Sequence, residues 1–133
     1  MIILKLNQPN SFLQMNTTWN LSEEHDATPE LQELADSVRQ HLEEKAGNKF
    51  KSYKLVKYSE INMSYGIMFV LKIEVGKNDY IHSLVEQWEA SLGGQTTGFY
   101  VQKGKKLEDP LLQTLHDYHN SKTQAQPEEG KNE

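Results

Sequence analysis

Tyr58-Ser59-Glu60-Ile61-Asn62-Met63-Ser64-Tyr65-Gly66-Ile67-Met68-Phe69-Val70-Leu71-Lys72-Ile73-Glu74-Val75 decides the fold. Two runs rich in alternating apolar residues flank a short polar break at 62–66. That is the pattern of two strands joined by a tight turn. In the second run, Ile67, Phe69, Leu71, Ile73 and Val75 share one face, and Met68, Val70, Lys72 and Glu74 share the other. The odd-numbered face is wholly apolar and needs a cover. Downstream, Asn78-Asp79 within 76–79 supplies turn chemistry. A third strand follows at about 80–87, with Ile81 and Val85 opposite Tyr80, His82 and Leu84, a pattern that does not orient it. Upstream, Phe50, Tyr53, Leu55, Val56, Tyr58 and Ile61 mark the first long strand, about 49–61. A loop at 88–96 with a Gly93-Gly94 break leads to a short last strand at 98–102. The whole is an antiparallel meander.

The cover lies before the meander. Thr28-Pro29-Glu30 is a helix start: a hydroxyl cap, a proline at the first helical position, and an acid at the positive end of the dipole. Leu31, Leu34, Ala35, Val38 and Leu42 then recur at helical spacing, and Gly47-Asn48 supplies the stop. The spacing predicts one long amphipathic helix of four to five turns, its stripe on the odd face of the sheet. The fold class is α+β, with this helix packed on an antiparallel sheet of four to five strands. Asp109-Pro110 suits the start of a short helix carrying Leu111, Leu112, Leu115 and Tyr118. From about residue 120 the polar tail reads as disordered. Residues 1–19 read as a flexible extension, 20–109 as the folded domain and 110–133 as the C-terminal tail.

Composition narrows the function classes. The chain has 133 residues, 36% of them hydrophobic, and a net charge of −5. It has no basic stripe with interleaved aromatics, which argues against nucleic acid or an anionic membrane as the partner. Without cysteine there is no disulfide, no thiolate metal site and no cysteine nucleophile, and a reducing compartment is the expectation. Met1-Ile2-Ile3-Leu4 is apolar for only four residues before Lys5, too few for a signal-peptide core or a membrane span. No Ser-His-Asp order or glycine-rich phosphate loop stands out, so an enzyme is not expected. His116 and His119 stand at i, i+3, but a solvated tail is the better reading than a metal site. No cofactor is expected.

Several segments then resemble a known family. Leu21-Ser22-Glu23 and Ala27-Thr28-Pro29-Glu30-Leu31-Gln32 look like the start of a stefin, a type 1 cystatin. Ala35-Asp36-Ser37-Val38 and Leu42-Glu43-Glu44-Lys45 continue the likeness along the helix. Lys72-Ile73-Glu74-Val75-Gly76, Asp79-Tyr80-Ile81-His82 and Thr97-Gly98-Phe99 are similar to later stefin strands. The resemblance covers about 20–109. It implies a sheet wrapped around one helix, with a short extra strand before the helix. It also implies a cytoplasmic, reversible inhibitor of papain-like cysteine proteases of the cathepsin type. The family is known for domain-swapped dimers, so such a dimer is a further expectation.

In that family three segments form a wedge that enters the protease cleft: a glycine near the N-terminus, a first hairpin tip of pattern Gln-x-Val-x-Gly, and a second hairpin loop. Carried over, the protease-binding residues are Asn20 and Leu21, then Asn62, Met63, Ser64, Tyr65 and Gly66, then Trp88. The sequence departs from the pattern in each segment. Asn20 replaces the glycine, and only Gly66 of the first tip matches. Ser64 replaces an apolar valine, and Tyr65 puts a large ring where the family has a small residue. The second loop lacks the usual Leu-Pro. An overfilled contact costs about 1–3 kcal/mol, so these changes predict a weaker grip. The alternative is a non-inhibitory cystatin-fold module whose Ser64-Tyr65 tip binds another protein.

Overall fold

The computed structural model describes the backbone of residues 21–132 and the side chains of residues 21–122. The expected extension at 1–19, and Asn20 with it, lies outside the described residues. Five strands form one antiparallel sheet in chain order: β1 (His25–Asp26), β2 (Lys54–Met63), β3 (Gly66–Gly76), β4 (Asp79–Trp88) and β5 (Thr96–Lys105). The first long strand starts later than the expected 49 and ends later than 61, and the last strand is longer than 98–102. Asn78 takes a left-handed conformation (φ 52°) in the β3–β4 turn, the role its short polar side chain suits.

Helices α1 (Pro29–Ser37) and α2 (Arg39–Ala46) stand where one long helix was expected. The start is as read: Thr28 is extended, and its Oγ1 accepts from the Leu31 N–H at 3.2 Å. The end is as read too, at Gly47 with φ 83°. The difference is Val38, whose φ of −108° and ψ of 9° leave the helical region. Its N–H tightens onto Ala35 O at 3.2 Å. One residue earlier, Ser37 Oγ donates to Leu34 O at 2.7 Å. Such back-bonding competes with the helical ladder and bends helices. The apolar stripe survives the break, because Ala35, Val38 and Leu42 are all fully buried.

The stripe packs as expected on the odd face of the sheet. Phe69, Leu71 and Ile73 of β3 join Ile81 and Val85 of β4 in one core with Ala35, Val38 and Leu42. That settles the orientation of the third strand. Gly98 of β5 lets α2 come close: a Cβ there would lie 2.6 Å from Leu42 Cδ2.

The even face is not open. Helix α3 (Leu111–Asn132) covers it through Leu111, Leu115 and Tyr118, which corrects the expectation of a sheet covered on one face only. Leu111 and Leu115 are fully buried against Met68, Val70, Leu84 and Ile61. Burying each leucine contributes roughly 1.5–3 kcal/mol. The reason was visible in Ile67–Leu71, an unbroken apolar run, which is the mark of a strand buried on both faces.

Lys72 and Glu24 tie the start of α3 to the sheet. Lys72 is almost wholly buried, and its Nζ donates to the carbonyls of Leu107 and, at 2.7 Å, Asp109. Burial holds its ammonium below the ordinary lysine value, against the opposing pull of Glu24, Asp109 and Glu108. Asp109 does not cap α3. Its carboxylate accepts from the Lys106 N–H at 2.8 Å, and the Leu111 N–H donates instead to Glu24 Oε2 at 2.8 Å. A distant acid thus satisfies one of the orphan amides at the helix start.

Candidate functional site

The expected wedge residues that are described converge on one end of the sheet. The β2–β3 hairpin closes through Ser64-Tyr65, with Met63 paired to Gly66. Gly66 in turn pairs with Trp88 at the end of β4. A Cβ on Gly66 would lie 2.1 Å from Gln87 O, so only glycine allows β4 this close. The second loop folds back beside the tip. After Trp88 comes a single 3₁₀ turn at Ala90–Leu92, then Gly93 and Gly94, both with positive φ. The Trp88 N–H donates to Gln95 O at 2.8 Å and closes the loop. The Glu89 N–H donates to Tyr65 O at 2.9 Å and ties the two loops together.

The N-terminal segment reaches the same end. The Ser22 N–H donates to Glu60 O at 3.0 Å, and the Glu60 N–H donates to Ser22 Oγ at 2.9 Å. Ser59 Oγ donates to Glu23 O at 3.3 Å. This pairing extends β1 along β2 and brings Leu21 onto the apolar cluster that also holds Met63 and Ile61.

The side chains divide into presented and withdrawn. Asn62 and Ser64 are exposed, and Met63 is half-buried on the cluster. Trp88 is 37% exposed and Leu92 is 52% exposed. Tyr65 does not project from the tip. Its ring stacks on Trp88, with centroids 4.4 Å apart and planes at 29°. Its hydroxyl donates to Glu86 Oε2 at 2.6 Å. Burial, then the Glu86 carboxylate, hold the phenol well above its ordinary value, so it stays protonated and a donor.

Leu92 and Glu86 were not singled out from the sequence. Leu92 sat unmarked inside the second loop. Glu86 carried no signal at all, because its partner is 21 residues away across a pairing that only the folded sheet creates.

The cystatin-domain family model matches residues 20–97. The chain belongs to the cystatin family. Stefin-2 of Mus musculus is 36% identical over 89 residues, which cover 66% of this chain and 85% of that protein. Cystatin-A of Homo sapiens is 37% identical over 93 residues, 66% of this chain and 91% of its own length. Cystatin-A of Felis catus is 34% identical over 91 residues, 68% of this chain and 92% of its own. Cystatins inhibit cysteine proteases and are not enzymes. The matched family region ends at residue 97, so α3 lies beyond it. Among the described residues no helix is long and apolar enough to cross a membrane, and no three of His, Cys, Asp and Glu group to hold a metal ion.

Proposed function

We propose that this cystatin reversibly inhibits papain-like cysteine proteases, cathepsins among them, by inserting one end of its sheet into the active-site cleft. The inserted edge consists of Asn20 and Leu21, Asn62, Met63, Ser64, Tyr65 and Gly66, and Trp88. The observation that carries this reading is the joining of the loops: Tyr65 O accepts from the Glu89 N–H, and the Tyr65 ring lies on Trp88. A preformed edge loses little freedom on binding. The half-exposed Trp88 and exposed Leu92 offer apolar contact of the kind that anchors interfaces. Tyr65, folded back, takes up less of the cleft than its size suggests. No chemistry is asked of the inhibitor. We place it in the cytoplasm, on the lack of cysteine.

Titration of papain, and of a cathepsin, with the full chain tests this. The expected result is an inhibition constant below about 1 μM, equivalent to about −8 kcal/mol. Full protease activity at micromolar inhibitor overturns it and leaves the non-inhibitory module.

The chain also forms a domain-swapped dimer when the Ser64-Tyr65 turn opens and β2 and β3 straighten. The ties on Tyr65 oppose that opening, so the dimer is expected after mild heating and not before. Size-exclusion chromatography checks this, and a strictly monomeric profile after heating counts against it.

A further inference from the structure

We propose that Glu86, which lies on β4 outside both loops, is the positioning residue of the inhibitory edge. It holds the Tyr65 ring against Trp88 and fixes the two loops as one body. The inference rests on the proposed inhibition and adds to it a residue that no tip pattern contains.

Three observations converge. Glu86 stands opposite Met68 in the ladder and shares the even face with Leu84, on the side covered by α3. Its Oε2 accepts from Tyr65 Oη at 2.6 Å, a short hydrogen bond to an ionised acceptor, the stronger kind. The Tyr65 ring is thereby drawn onto the same face, where Trp88 stacks against it at 4.4 Å. The backbone completes the clamp, because Tyr65 O accepts from the Glu89 N–H. Tyr65 is thus held at its hydroxyl, its ring and its carbonyl, by three residues of the β4 end and the loop beyond it.

The consequence is geometric. Freed from Glu86, the ring of Tyr65 has rotamers that point outward from the two-residue turn, into the space a protease must enter. Held by Glu86, it leaves the leading edge to backbone and to the small polar side chains of Asn62 and Ser64. Glu86 touches no protease in this arrangement. It acts through Tyr65.

The test uses full-length protein, papain, and the variants Glu86→Ala, Glu86→Gln, Tyr65→Phe and the Glu86→Ala/Tyr65→Phe double. Loss of a hydrogen bond to a charged group predicts about a tenfold weaker inhibition constant for Glu86→Ala and for Tyr65→Phe. The double variant is expected to be no weaker than either single variant, since both remove one contact. Glu86→Gln keeps an acceptor and is expected to restore most of the inhibition. Thermal midpoints are expected to stay near wild type, which separates positioning from unfolding. A second readout does not involve a protease. Trp88 and Trp19 are the chain's two tryptophans, so in a Trp19→Phe background acrylamide quenching reports on Trp88 alone. Glu86→Ala is expected to raise the quenching constant, as Tyr65 leaves the indole face. Unchanged quenching, or additive losses in the double variant, overturns the proposal. If the wild type fails to inhibit papain, the inhibitory reading fails, and quenching alone decides whether Glu86 holds the tip.

Discussion

Leu115→Ala is expected to lower the free energy of unfolding by about 2–5 kcal/mol, the range for truncating a fully buried leucine. Leu115 has no exposed surface and packs with Leu111 against Met68, Val70 and Leu84. Truncation leaves a cavity between two rigid layers, a sheet and a helix, and neither can collapse easily into it. The control is Leu112→Ala on the same helix. Leu112 is 44% exposed, and its loss is expected to change stability by less than about 0.5 kcal/mol. Urea unfolding of the three proteins measures both values. If Leu115→Ala matches Leu112→Ala, α3 is not part of the folded unit. The size of the expected effect matters because α3 lies beyond the family's matched region. A large loss means that the added helix is integral, and that the sheet needs both covers.

That dependence was half legible in the sequence. The odd face of β3 announced its helix, because Ile67, Phe69, Leu71, Ile73 and Val75 alternate and Leu31 to Leu42 keep helical spacing. The even face carried Met68 and Val70 but also Lys72 and Glu74, and that mixed pattern did not call for a cover; Lys72 and His82 are nonetheless buried on it. Their burial requires partners from the 107–114 stretch, which periodicity within one strand cannot supply. The break at Val38 was hidden for a related reason. Ser37 donates back to Leu34 O beside the break, a bond that competes with the helical ladder, and the apolar spacing carries no trace of it. The resemblance to stefins pointed to the residues of the proposed wedge, and the hairpin pattern put 62–66 at a turn between two strands. What Tyr65 does there was not legible. Its size reads as an obstacle until Glu86 and Trp88, 21 and 23 residues on, are seen beside it. Long-range pairing turned an apparent defect into a held element, and no local rule contains that information.

Acid is expected to destabilise this protein through His82, with the loss beginning above the range where carboxylates titrate. His82 is fully buried between β4 and α3. Its Nδ1 lies 2.7 Å from Thr114 Oγ1, whose own proton goes to Gln102 Oε1 at 2.8 Å. Nδ1 therefore carries the imidazole proton, and Nε2 is the bare nitrogen, buried and without a hydrogen-bond partner among the described residues. A second proton has to enter at that site. Burial opposes it, as do the charges of Lys72 and Lys105, with Asp109 pulling the other way, and the imidazole is held down to about 3. Below about pH 6.5 the unfolded chain binds a proton that the native chain refuses, so stability falls with pH. The loss is about 1.4 kcal/mol per pH unit, or about 2–3 kcal/mol between pH 6.5 and 4.5. Asp26, Glu43, Asp109 and Asp117 also have lowered values. Their contributions are lost as the pH falls through and below the ordinary carboxylate range, so they add to the loss mainly at the acid end of this window and beyond it. His119, lowered by burial and by Lys122 and His116, adds in the same sense as His82. Urea unfolding at pH 7.5 and pH 4.5 measures the loss. His82→Asn keeps a donor near the Nδ1 position and removes the titrating ring. It is expected to cut most of the pH-dependent loss, whatever its cost at pH 7.5. An equal loss in the variant places the acid sensitivity elsewhere. The expected direction follows from the placement of α3: the helix that completes the core also seals the imidazole from water, so acid works against the docking that keeps the helix in place.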